Sequence, residues 1–129
     1  MPITCFTEEN SNLLRTEVTG AVTIPQILDH LVSHVQNGTI GHCEVIDVRG
    51  VTSPYLTSAQ IWQAAQAVLA IALKSSPGPR AIVVENDTVF GMSRMFSTLV
   101  EETFPIRVYR EMEAAEHWLL EEYQPVNAI

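Results

Sequence analysis

The sequence predicts an α/β domain, a mixed and mostly parallel five-stranded sheet with four helices in the order ββαβαβαβα. Three observations predict it. Short runs rich in β-branched residues alternate with stretches whose apolar residues recur at helical spacing. Two capping boxes, Thr23 with Gln26 and Thr57 with Gln60, mark helix starts. Single helices then separate the later strands, which makes those strands parallel with right-handed crossovers.

The elements follow in order. Ile3 to Thr7 reads as a strand, Glu8 to Ser11 as a polar turn, and the alternating run Leu13 to Thr19 as the returning strand of a hairpin. Gly20 ends it. After the first capping box, with Pro25 tolerated in the first turn, Ile24, Ile27, Leu28, Leu31, Val32 and Val35 fall on one helical face. His30 and His34 then fall opposite it, on the solvent side. Gly38 is placed to end that helix. Cys43 to Val48 reads as an apolar strand ending at Arg49-Gly50. The second boxed helix runs to about Lys74, where Pro77-Gly78-Pro79 breaks the chain. Ala81 to Val84 has the composition of a parallel strand buried on both faces. Asp87 is expected to cap a third helix through about Glu102. Ile106 to Tyr109 gives a short strand, Met112 to Glu122 a last helix, and 124–129 a frayed tail.

The whole chain, 1–129, fits one domain. A chain of this size buries about two-thirds of its unfolded surface and folds without disulfides or metals. Cys5 and Cys43 lack CxxC spacing and read as small hydrophobes in strands. The net charge is −8, from 15 acidic and 7 basic residues. That balance repels phosphate backbones and argues against nucleic acid as a partner. No stretch reaches the ~20 apolar residues of a spanning helix, and the first residues do not resemble a signal peptide. The expected location is therefore cytoplasmic, or peripheral to a membrane surface.

Three segments carry a resemblance: Val45-Ile-Asp-Val-Arg-Gly-Val-Thr52, the run from Ala81 to Phe96, and the run from Arg107 to Leu119. Together they resemble SpoIIAA-like proteins, of the STAS and Sec14 (CRAL-TRIO) fold group. The resemblance covers nearly the whole chain in order. It implies a SpoIIAA/STAS-like sheet built from successive βα turns, and it implies little about biochemical role.

The candidate sites are weighed against simpler structural roles. No charged residue lies between Arg49 and Lys74, so the second helix needs a second cover: another helix, a subunit, a lipid headgroup layer or an apolar ligand. Trp62 and Leu69 on that helix, Tyr55 before it, and Phe90 and Met95 on the third helix are the expected walls of an apolar pocket. Arg94 and Arg49 are candidates for holding an anionic headgroup, although an internal salt bridge from Arg94 to Asp47, Glu85 or Asp87 competes with that role. The strand ends supply Asp47, Arg49, Glu85, Asn86, Asp87 and Arg110, a cluster of mixed sign with no recognisable catalytic order. Thr57 and Ser58 stand where STAS anti-sigma-factor antagonists carry a phosphorylated Asp-Ser pair. Here Leu56 precedes Thr57, so that motif is incomplete and a helix cap is the simpler role. His30 and His34 are four residues apart, a spacing that can hold a metal, but their expected exposure argues against a physiological site.

The sequence therefore points to a non-enzymatic binding domain with no catalytic residues, no resident metal and no cofactor. It is expected to be a homodimer that holds a nonpolar or lipid-like molecule. The alternative is a STAS-type protein-interaction or regulatory module, phospho-regulated at Thr57 or Ser58.

Overall fold

The first three helices begin where a side chain satisfies free backbone donors. In the computed structural model, which describes residues 3–7 and 13–122, Thr23 caps α1 (Ile24–Asn37) and Thr57 caps α2 (Ser58–Ser75). Both caps are complete boxes. Thr23 Oγ1 accepts from the Gln26 N–H, and Gln26 Oε1 accepts from the Thr23 N–H at 2.8 Å. Thr57 and Gln60 repeat the pattern at 3.2 and 2.8 Å. α3 (Asp87–Val100) differs from expectation. Its cap is Asn86, whose Oδ1 accepts from the Val89 N–H at 2.8 Å, and Asp87 is the first helical residue. An acidic residue in that first turn still complements the helix dipole.

The strands are β1 (Ile3–Thr7), β2 (Leu13–Gly20), β3 (Cys43–Val51), β4 (Arg80–Val83) and β5 (Ile106–Tyr109), followed by α4 (Met112–Glu122). They lie in the sheet in chain order, β1-β2-β3-β4-β5. β1 and β2 are antiparallel, and β2 to β5 are parallel. This is the expected architecture, with the hairpin at one end of the sheet. β3 is longer than expected and pairs with β2 as far as Val51.

Successive right-handed crossovers advancing in one direction place α1, α2 and α3 on the same face. Their core includes Val18, Val51, Ala65, Val68, Ile82, Val89 and Val100. α4 covers the other face, where Ala115, Trp118 and Leu119 pack on Leu13, Cys43, Val45, Ala81 and Val83. The alternation of strand residues assigns each side chain to a face. Thr16, Glu44 and Arg80 thus share the three-helix face with Ile46 and Ile82. Arg15 lies on the α4 side, where it pairs with Glu116 at 2.6 Å.

Candidate functional site

Glu44 and Arg80 are register partners on adjacent parallel strands. Both are almost fully buried, at 1% and 3% exposure. A buried charge needs a partner and a full set of hydrogen bonds. Arg80 Nε meets Glu44 Oε1 at 2.8 Å. The rest of the guanidinium donates to the carbonyls of His42 (2.7 Å), Gly78 (2.9 Å) and Ile40 (3.0 Å). Arg80 therefore ties together the two loops that precede β3 and β4.

The second carboxylate oxygen faces a different set of groups. Glu44 Oε2 accepts from the Thr16 hydroxyl. His30 Nε2 lies 2.7 Å from the same oxygen and His34 Nε2 lies 3.2 Å from it. The two imidazole nitrogens are 3.1 Å apart, with the rings edge to face. Cys5 is on the exposed edge strand, and its Sγ is 4.0 Å from His34 Nε2. Thr39 Oγ1 sits 2.8 Å from His34 Nδ1 on the far side of the ring.

Burial alone would raise the Glu44 carboxyl. The hydrogen bonds from His30 and His34, with the charge of Arg80, outweigh that and hold it well below the usual carboxylate range. Glu44 is thus ionised in the fold. Burial pushes the Cys5 thiol up, with Thr16 opposing and the Glu44 charge adding to the shift.

This cluster corrects the expected exposure of His30 and His34. His34 is 4% exposed, and His30 is half-buried against the sheet. The helix is rotated from the face expected: Val32 and Val35 look outward while His30 and His34 turn in. Glu44 was the missed signal, a charge between Cys43 and Val45 inside an otherwise apolar strand. A carboxylate there requires buried donors, and the paired histidines of the preceding helix are of the type that can supply them.

Beside the cluster, an apolar cavity of about 170 Å³ lies between the sheet and the three helices. Val18, Ile46, Val48, Ile61, Ala64 and Phe96 are among its walls, and Thr16 and His30 form part of its lining. Val51, Leu56 and Val89 place its other end toward the carboxyl ends of the parallel strands, where ligands of open α/β sheets gather.

The residues expected to form a pocket lie elsewhere. Among Tyr55, Trp62, Leu69, Phe90, Met95, Arg94 and Arg49, none lines this cavity. Trp62 is 53% exposed on the outer side of α2. Tyr55, Leu69 and Phe90 pack on the three-helix core, and Met95 is half-buried on α3. Arg94 is exposed over the Phe90 ring at 5.8 Å and forms no ion pair among the described residues. Arg110, not Arg94, pairs with Asp87 at 2.8 Å, and it also stacks over Phe90 at 4.2 Å. Arg49 grips Asp47 through two bonds of 2.9 Å, which lowers the Asp47 carboxyl from its ordinary value. Thr57 is a helix cap, and Ser58 is exposed in the first turn of α2.

No family of related sequences matches the chain, and no curated protein does. Among solved structures, it is similar to an uncharacterized DUF3478-family protein with a SpoIIAA-like fold from Shewanella loihica. The TM-score is 0.58 at 17% identity, over 91% of this chain and 93% of that one. The fold is therefore SpoIIAA-like, a mixed five-stranded α/β sheet with four helices. No helix among the described residues is long and apolar enough to cross a membrane.

Proposed function

We propose that this domain is a non-enzymatic binding module for a small, mostly apolar molecule bearing one polar group. The cavity beside Thr16 and His30 carries this reading. Its walls are almost entirely aliphatic and aromatic, with a polar patch at one end, which is the usual composition of a ligand pocket. Volume narrows the ligand class. A cavity of roughly 150 Å³ accepts one benzene-sized molecule, so a space of about 170 Å³ suits a ring or a short chain. A full acyl chain exceeds this volume.

The charged strand ends support a binding role over catalysis. Asp47 is held by Arg49 and Asp87 by Arg110, while Asn86 caps a helix. These groups are engaged in loop and helix-end structure, with no nucleophile among them.

The test is a thermal-shift and ligand-observed NMR screen with small phenols, short-chain alcohols and acids, and long-chain fatty acids. Ring-sized and short-chain probes are expected to bind saturably. Ala64→Leu, which fills the cavity from α2, should abolish that response while the domain stays folded. Absence of saturable binding, with ligand-free native mass spectra, would overturn the reading.

The second reading, an interaction module of the STAS kind, is favoured by the outer side of α2. Trp62 and Leu73 stand 53% and 78% exposed there, on a helix without charge before Lys74. We take a second copy of this chain as the partner, because a two-fold contact lets one uncharged patch cover itself.

A further inference from the structure

We propose that Cys5, His30, His34 and Glu44 form a binding site for a divalent transition-metal ion of the zinc class. The sulfur, the two ring nitrogens and the carboxylate oxygen lie within 4.8 Å of one another. They come from three elements, the edge strand β1, helix α1 and strand β3. Thiolate, imidazole and carboxylate together are a zinc-type donor set. A four-coordinate ion with ordinary bond lengths separates its ligand atoms by roughly 3.3–3.7 Å. The pairs at 3.1, 3.2 and 4.0 Å need only small adjustments, and the 2.7 Å pair must open by somewhat more.

The surroundings of the two rings suit an ion as well. In the metal-free protein His30 and His34 turn Nε2 toward Glu44 Oε2 at 2.7 and 3.2 Å, so an ion takes the place of the ring protons there, as metal binding to histidine releases protons. Thr39 Oγ1 lies 2.8 Å from His34 Nδ1 and can accept that ring's N–H once Nε2 is a ligand. A ring N–H fixed by an outer hydroxyl is also how metal-ligating histidines are usually oriented. Arg80 holds the other Glu44 oxygen at 2.8 Å and leaves Oε2 turned toward the histidines. Cys5 on the open edge of the sheet gives the ion a route in.

The experiment uses the full chain stripped with a chelator, then titrated with Co²⁺ and Zn²⁺. One equivalent of Co²⁺ should develop the visible absorption of a four-coordinate ion and a near-ultraviolet thiolate band, and Zn²⁺ should displace it. Cys5→Ser should remove the thiolate band and weaken binding. His30→Gln should abolish stoichiometric binding, and circular dichroism of the metal-free variant establishes that it is folded. Thr39→Val removes no ligand atom and should still weaken Zn²⁺ by about 10–100-fold, as loss of an orienting partner does. Three results would overturn the site: no saturable binding by the wild-type chain, undiminished binding by a Cys5→Ser, His30→Gln double variant, or a six-coordinate Co²⁺ spectrum indifferent to Cys5.

Discussion

The Glu44 carboxylate concentrates more of this protein's chemistry than any other residue, because each of its oxygens has a separate task. Oε1 neutralises Arg80, and Oε2 gathers Thr16, His30 and His34. Glu44→Gln leaves the guanidinium buried without a counter-charge and should cost about 3–5 kcal/mol by urea unfolding. Glu44→Leu with Arg80→Met should recover much of that loss, since apolar replacement of a whole buried pair is often neutral. Asp47 gives the contrasting surface case. Its folded carboxyl is depressed by Arg49, so the small stability it adds is present above the ordinary value of 3.8 and is lost as pH falls through the folded value. In Arg49→Gln, the Asp47 midpoint measured by NMR should move back up. Because the Arg49 side chain is 44% exposed, the change in unfolding free energy at neutral pH should stay below about 1 kcal/mol.

At the scale of elements, legibility followed the strength of local signals. Complete capping boxes made the starts of α1 and α2 readable, and the β-branched run of β4 identified a central strand. The orientation of α1 was not readable from its apolar periodicity. Its apolar residues outnumber the places on its buried side, and the polar pair His30 and His34 takes two of those places. What decides the rotation is Glu44, on a strand a few residues further along the chain, so the deciding information is tertiary. The cavity was unreadable for a similar reason, since its walls come from nearly every element on one face. The loop between α2 and β4 carries a constraint that composition does not reveal. A Cβ on Gly78 would lie 2.3 Å from the Gly41 carbonyl oxygen, where the Gly78 N–H donates to Ile40. Gly78→Ala should therefore push the two loops apart and loosen the Arg80 clamp. We expect a loss of about 1–3 kcal/mol, of the kind overpacking produces, seen as a lower thermal midpoint.

On the scale of the whole molecule, the two sheet faces are unequally dressed. One carries three helices and the cavity, and the other is covered by α4. The self-association proposed above would use the uncharged outer side of α2. Light scattering should report a dimer at high micromolar concentration, with an interface above about 1,000 Å² in total. Trp62→Lys should return it to monomer without changing the fold, since the indole is already 53% exposed. A wild-type monomer at that concentration would dismiss the self-association reading and leave the cavity reading untouched.

The sheet is ordered β1-β2-β3-β4-β5, the same order in which the chain is written. Each strand therefore docks on the strand made just before it, after one turn or one helix. The entropy spent in closing each loop is modest, and it is spent before the next loop opens. A nascent chain leaving the ribosome can lay down this sheet from one side to the other, with no strand held back for a later partner. Local pairing of this kind is what lets mixed domains fold quickly. The last of these elements to emerge, α4, is also the one that covers Leu13, Cys43 and Ala81. Until it arrives, that face of the growing sheet is the surface a chaperone would find.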